Sequence, residues 1–292
     1  MDRTRRSFLK GMAAAGATAA AAAAPALGSE PARQAPADAV GLLYDTTRCI
    51  GCKACVVACH QANNLPPDTR LDPLHDMPTV LNDRTKNIIK LYTDGERRSY
   101  MKQQCMHCID PGCVGACMIG ALQKREHGIV TWDTNRCIGC RYCQVACPFE
   151  IPKFEWDARS PHIIKCELCN HRLKEGKQPG CTEVCPRQAV VFGKYEDLLA
   201  DARQRLKDHP GRYVDKIYGE HDGGGSQCLY LSHVPFEKLG LPVLPDHSHA
   251  AVNRQVQHGT YRGFVAPVAL YAVLGGVMLR NRRKGADQGG DA

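Results

Sequence analysis

No long run of like charge occurs in this 292-residue chain, although 38 Lys and Arg against 30 Asp and Glu leave a formal net charge of +8. The basic residues are spread out rather than gathered, which removes the main sequence argument for a nucleic-acid partner. There is no G-x-G-x-x-G after a strand pattern and no nucleophile–base arrangement, so nothing assigns dinucleotide binding or independent catalysis. The string C-x-x-C-H is also missing, which excludes covalently attached haem. Charged content of 23% and hydrophobic content of 43% exclude disorder and a polytopic membrane protein. A chain of this length buries a core without covalent staples, so its 17 cysteines need another explanation.

The two ends read as addresses. Thr4-Arg5-Arg6-Ser7-Phe8-Leu9-Lys10, followed by an Ala/Gly-rich run to Leu27, has the form of a removable twin-arginine signal over 1–28. Such signals export proteins already folded around a cofactor, so the body is expected on the periplasmic side. Removing the signal takes four basic and one acidic residue and leaves a charge of +5. Near the other end, Gly263 to Leu279 carries no formal charge, and Arg280, Arg282, Arg283 and Lys284 follow at once. Seventeen helical residues span about 25 Å, short of a bilayer core of about 30 Å. Starting at Thr260 closes the gap, so 260–279 is the expected transmembrane helix and 280–292 a basic cytoplasmic tail. A buried amphipathic tail, with Pro267 in it, is the competing reading.

Sixteen cysteines form four groups of four. Cys49, Cys52, Cys55 and Cys59 have the spacing C-x2-C-x2-C-x3-C, and Cys137, Cys140, Cys143 and Cys147 repeat it, followed by Pro148. Cys105, Cys108, Cys113 and Cys117 read C-x2-C-x4-C-x3-C, whereas Cys166, Cys169, Cys181 and Cys185 read C-x2-C-x11-C-x3-C before Pro186. Residues 44–59 and 132–147 agree at 11 of 16 positions, and Pro-Gly-Cys recurs at 111–113 and 179–181. Duplicated units of this kind cannot close a core alone. Thiolates every third residue around a tight loop can wrap one inorganic cluster, while the fourth cysteine points to a neighbouring one. Gly51 and Gly139 suit the close approach of backbone to sulfur. The crowded triplet is a poor tetrahedral zinc layout, and disulfides across two-residue gaps would form a strained ladder. The spacing therefore points to 4Fe-4S clusters.

These motifs, with Gly41-Leu42-Leu43-Tyr44-Asp45, Lys102-Gln103-Gln104-Cys105-Met106-His107-Cys108, Cys166-Glu167-Leu168-Cys169-Asn170 and Gly223-Gly224-Gly225 leading to Val234-Pro235, make the chain similar to a known family. It resembles the four-cluster ferredoxin-like electron-transfer subunits of bacterial respiratory enzymes, and within them the hydrogenase-2 type. The resemblance implies an α+β fold of two intertwined bacterial-ferredoxin-like modules with four 4Fe-4S clusters. It implies one cluster on Cys49, Cys52, Cys55 and Cys185 and a partner on Cys166, Cys169, Cys181 and Cys59. The other pair would use Cys137, Cys140, Cys143 and Cys117, then Cys105, Cys108, Cys113 and Cys147. It further implies a non-catalytic subunit that relays electrons between the small and large subunits of a [NiFe] hydrogenase and a quinone-reactive integral membrane subunit, at the periplasmic face of the inner membrane. The equivalent subunit of a molybdenum enzyme, such as a formate dehydrogenase or a sulfoxide or polysulfide reductase, is the nearest alternative. A zinc-stabilised interaction scaffold is the rival of another class. His60 and Met118 depart from the family pattern, which places proline after the fourth cysteine.

The expected four-cluster domain covers 41–193, with an insertion at 63–104. Strands are expected at Leu42–Asp45, Ala121–Lys124, Ile129–Trp132 and Ala189–Phe192, with turns at Glu126-His127-Gly128 and near Gly193. Leu198, Leu199, Ala202 and Leu206 mark one face of a following helix. Residues 194–258 read as a helical and loop extension, with 211–258 a linker or partner-contact segment. Arg48, Lys53, Arg136, Arg141 and Lys165 stand beside ligands, as cations that tune clusters or as solvated surface charge. Trp132 and Tyr142 are expected to pack the core, and Cys228 to behave as a small apolar residue. Anaerobically purified protein should be brown and carry on the order of 16 iron and 16 acid-labile sulfide atoms per chain. A colourless protein containing zinc would refute this reading.

Overall fold

The computed structural model describes residues 33–66, 80–158, 161–251, 254, 267–268 and 270–279. The expected signal at 1–28 and basic tail at 280–292 lie outside them. Pro31–Ala251 form one compact unit, and the C-terminal segment belongs to another.

Strand β1 (Val40–Asp45) organises the compact unit. Its residues Leu42, Leu43 and Tyr44 are apolar in succession, the pattern of a strand covered on both faces. It pairs antiparallel with β8 (Val190–Lys194) and parallel with β9 (Cys228–Leu231). On one face Leu42 and Tyr44 join Cys228, Tyr230 and Val190 in the larger core, which also contains Ile88, Met101, Met106 and Phe149. On the other, Leu43, Leu229 and Leu231 pack under α6 (Tyr195–Asp208) through Tyr195, Leu198 and Ala202, flanked by Leu199 and Leu206. Glu196 and Asp197 in the first turn of α6 and Arg205 and Lys207 in its last complement the helix dipole. Asp45 ends β1 fully buried, and Arg205, Tyr213 and Thr47 satisfy its carboxylate.

Two expectations change here. Gly193 is no turn: it pairs with Gly41 inside β8, and the chain enters α6 directly at Tyr195. The expected linker also contains β9 and the buried residues Ile217 and Tyr218, so this stretch supplies core, not connection. The signal was a run of four apolar residues, Cys228–Leu231, that is too short to establish a strand without its partner.

The cysteine-bearing loops hang from short paired elements. Helix α1 (Ala54–Ala62) follows the first cysteine group, and α2 (Gly112–Gly115) the second. Helix α3 (Tyr142–Val145) belongs to the third, and α4 (Asn170–Leu173) and α5 (Gly180–Glu183) to the fourth. Helix α1 packs on α5 and α2 on α3, so the first group meets the fourth and the second meets the third. The repeated Pro-Gly-Cys explains this pairing. Pro111 and Pro179 open α2 and α5 in extended conformation, and each following glycine admits the partner helix backbone. A Cβ on Gly112 would lie 2.7 Å from the Ala146 carbonyl oxygen, and one on Gly180 3.1 Å from that of Ala58.

Three hairpins complete the unit. β2 (Asn87–Asp94) and β3 (Arg97–Gln104) join through Gly95-Glu96, with Gly95 at positive φ as a tight hairpin favours. This hairpin, expected only as an insertion, sends Ile88, Met101, Lys102 and Gln104 into the interior. β4 (Leu122–Lys124) and β5 (Val130–Trp132) are joined through a 3-10 turn at Glu126–Gly128. β6 (Lys153–Phe154) pairs with β7 (Ile163–Ile164), and Leu122, Val130, Phe154 and Ile163 form a smaller core beside Cys113 and Cys143.

In the second unit, residues 267–268 and 270–279 are helical, and Val268, Tyr271, Val273 and Met278 are exposed. Among the described residues no helix is long and apolar enough to cross a membrane. The expected span at 260–279 lies partly outside them.

The paired glycines of β1 and β8 should respond differently to alanine. A Cβ on Gly41 would meet the Gln227 backbone oxygen at 2.0 Å, whereas one on Gly193 would meet Leu198 Cδ2 at 3.5 Å. Gly41→Ala should cost about 1–3 kcal/mol of overpacking and Gly193→Ala less than about 0.5 kcal/mol, read by denaturation of the loaded protein.

Candidate metal centres

The loops carrying the first and third groups share one backbone form. Gly51 and Gly139 both have positive φ, 72° and 70°, and so do Lys53 and Arg141 two residues on, at 61° and 65°. The Lys53/Arg141 position precedes α1 and α3, so the chain turns once around the second cysteine and then starts a helix. Tyr100 of β3 lies against the first loop, where a Cβ on Gly51 would meet its ring at 2.2 Å. The fourth cysteines of the second and fourth groups also correspond. Cys117 Sγ accepts the Ala121 N–H at 3.2 Å, and Cys185 Sγ accepts that of Ala189, also at 3.2 Å. These N–H donors favour thiolate sulfur.

The folded loops gather cysteines across groups. One cavity is lined by Cys49, Cys52, Cys55 and Cys185, which we term site I. A second, site II, is lined by Cys59, Cys166, Cys169 and Cys181. Site IV is lined by Cys117, Cys137, Cys140 and Cys143. The remaining four form site III, where Cys108 is within electrostatic reach of Cys147, Cys105 and Cys113. All sixteen predicted residues thus lie in four sets of four. Cys228 stays outside, buried, with Sγ donating to the Cys105 carbonyl oxygen at 3.4 Å and near Gln104 Nε2 at 3.8 Å.

The sites follow one another in a line. Cys55 of site I interacts with Cys181 of site II, Cys166 of site II with Cys105 of site III, and Cys113 of site III with Cys143 of site IV. The two ends are open. Cys52 and Cys140, at equivalent places in the repeat, are the two exposed cysteines. Around Cys52 lie exposed Ile50 and Val57, and around Cys140 exposed Ile138, Tyr142 and Val145. Tyr142, expected in the core, is therefore on this rim, whereas Trp132 is partly buried against the smaller core.

Burial pushes the thiols up: Cys55, Cys59 and Cys143 to about 12, and Cys147 to about 11. Burial also raises Cys108, Cys166 and Cys181. Such thiols give thiolate only when cationic charge is supplied inside the site, as bound iron does. The protein adds cations of its own. Lys102 is fully buried and donates to Gln104 Oε1. Burial alone would lower it, but the charges of Cys181, Cys55, Cys166 and Cys59 raise it overall. Lys165 is also buried, donating to the Val130 and Cys166 carbonyl oxygens, and Cys105, Glu167, Cys113 and Cys166 raise it against the same burial.

Of the five cations expected beside ligands, Lys165 takes this role most directly. Arg48 pairs with Asp45 at 3.5 Å, and Arg136 with Asp133 at 3.5 Å on the surface. Arg141 stacks on Trp156, 3.8 Å from the ring centroid. Lys53 is buried at the start of α1. Sequence reading missed Lys102 because it stands three residues before Cys105 and reaches the other module across β3. The Lys102-Gln103-Gln104-Cys105 string was its only signal.

The donor set, the cavities and the buried cations fit 4Fe-4S clusters, which would be held through these thiolates and would supply one-electron redox chemistry. Cys228→Ala should leave iron and sulfide content unchanged and cost about 1 kcal/mol of stability from lost packing. Loss of iron in that variant would contradict the assignment of Cys228 outside the sites.

Comparison with known proteins agrees. The description "4Fe-4S dicluster domain" matches residues 41–118 and, in a second form, 97–195. The hydrogenase-2 operon protein HybA of Shigella flexneri is 38% identical, with 98% of each chain covered. The formate dehydrogenase iron–sulfur subunit of Haemophilus influenzae is 34% identical over 75% of this chain and 74% of its own. The formate dehydrogenase-O iron–sulfur subunit of Escherichia coli is 34% identical over 76% and 77%. With duplicated cysteine loops, two dicluster matches and a relative aligned along nearly its whole length, the chain belongs to the HybA family of 4Fe-4S iron–sulfur proteins.

Proposed function

We propose that this chain is the electron-transfer subunit of a periplasm-facing respiratory [NiFe] hydrogenase, passing electrons through four 4Fe-4S clusters to a quinone-reactive membrane subunit. The observation that carries the relay is the line of four four-cysteine sites whose two ends alone present an exposed cysteine. Electrons enter and leave one at a time at the open ends, where exposed apolar side chains offer surface for partner subunits. Inner sites II and III lie among buried side chains, which keeps water from the middle of the path. The protein's part is to fix the sites in sequence and to balance their charge. The catalytic step itself belongs to the partner subunits.

The hydrogenase partner is supported by the 98% coverage of the HybA relative, against about three quarters for the formate dehydrogenase subunits. The latter keep the molybdenum-enzyme reading as the alternative. Export by the twin-arginine signal and anchoring by 260–279 complete the proposal, with the C-terminus cytoplasmic. The intact membrane complex should contain nickel, and hydrogen should reduce its iron–sulfur centres as seen by paramagnetic resonance. Molybdenum in place of nickel, with reduction by formate and not by hydrogen, would select the alternative.

A further inference from the structure

The residue that follows the second cysteine differs among the four groups. It is Lys53 in the first and Arg141 in the third, but Ile109 in the second and Asn170 in the fourth. A cation therefore stands at this place only in the groups that supply the two exposed cysteines. Lys53 and Arg141 have positive φ, 61° and 65°, and line the cavities of sites I and IV respectively. Among the described residues that line site IV, only Arg141 carries a charge. Arg136, beside Cys137 in sequence, pairs instead with Asp133 at 3.5 Å.

The Arg141 side chain is held from outside. Its guanidinium stacks on Trp156 at 3.8 Å from the ring centroid and lies 5.9 Å from that of Phe154. Phe154 is anchored, since it belongs to β6, is buried in the smaller core and itself lines site IV. Trp156 comes two residues later, after the Glu155 N–H has donated to the His162 carbonyl oxygen at 3.4 Å, and its side chain is largely exposed. An exposed tryptophan adds little to the core, but its face fixes a planar cation and shields it from water. Under this cover Arg141 Nε is buried and has no hydrogen-bond partner among the described residues. A guanidinium does not lose its proton, so Nε always presents an N–H. Native structures rarely leave such a donor without an acceptor away from water. The acceptors that site IV offers are sulfurs.

We propose that Trp156 clamps Arg141 so that its Nε–H donates to sulfur of the cluster held by Cys117, Cys137, Cys140 and Cys143, and that this contact raises the potential of that cluster. Fixed positive charge and an N–H donor to sulfur both favour the added electron, most strongly where water is excluded. Arg141 acts on the cluster directly, and Trp156 is a positioning residue that acts through it. Exposure of Trp156 means that its replacement leaves the core intact.

This inference rests on the four-cluster reading, so iron and sulfide are counted before any potential is measured. The experiment is a redox titration, followed by paramagnetic resonance, on the full-length chain purified anaerobically in its complex; the signal of site IV is the one that Cys140→Ser alters. Arg141→Gln should lower its midpoint by at least a tenfold fall in the reduction equilibrium constant, which is 59 mV for a one-electron couple. Trp156→Leu should lower it in the same direction by roughly threefold or more in that constant. Trp156→Phe, which keeps a ring face, should leave it near the wild-type value. Once Arg141→Gln is in place, Trp156→Leu should have no further effect. A fully loaded Arg141→Gln with an unmoved midpoint overturns the proposal. So does a Trp156→Leu shift that persists without Arg141, because the ring would then act by excluding solvent. Where Arg141→Gln does not load, an unmoved midpoint in loaded Trp156→Leu overturns it alone. Wild-type protein with far fewer than about 16 iron atoms would sink the four-cluster reading and this inference with it, and would show in the metal count.

Discussion

The structure depends on concentrating negative sulfur inside a protein that must not leave it uncompensated. Sixteen cysteines are drawn into four sites, all but two of them at least partly buried, and burial alone favours the neutral thiol. Thiolate becomes tolerable through three contributions: cationic metal within the site, backbone N–H groups aimed at sulfur, and the buried ammonium groups of Lys102 and Lys165. The last are themselves tolerable only because the thiolates are there. Removing either partner leaves a buried charge without its counterpart, so the lysines and the cysteine sites stand or fall together.

Duplication supplies the frame, and its small asymmetries individualise the sites. After Cys147, Pro148 cannot continue a helix, and α3 is a single turn. At the corresponding position His60 keeps its backbone N–H, and α1 runs on to Ala62. The longer helix delivers Asn63 to the sulfurs of Cys59 and Cys169, a contact the other copy lacks a residue to make. A departure from the family's proline is thus the reason that site II has an additional donor. Likewise Gly112 and Gly180 keep the helix pairs close enough for each loop to lend its fourth cysteine to its neighbour.

The hairpin β2–β3 and strand β9 show how added segments become part of the frame. The hairpin lays Tyr100 on the loop of site I and buries Lys102 against Gln104, which lines site II. Strand β9 places Tyr230 edge-on to Tyr44, 5.5 Å between centroids, and buries Cys228 beneath Gln104. Neither segment carries a cluster ligand, yet both shape the surroundings of the ligands.

The sequence by itself determined the local chemistry. Cysteine spacing, the Gly51 and Gly139 turns, the β1 and β8 strands and the apolar face of α6 are each written within a few residues, where period and turn chemistry decide the outcome. It could not determine the role of residues 217–231. An apolar segment of four becomes a strand only when β1 offers its edge, some 180 residues earlier in the chain. Nor could it find Lys102, whose meaning lies in cysteines 47 residues before it and 79 after it. Adjacency to a ligand in sequence singled out Arg48 and Arg136, which pair with the carboxylates of Asp45 and Asp133. Electrostatic influence follows distance and burial in space rather than separation along the chain, and those were decided only when the two halves of the duplication closed on each other.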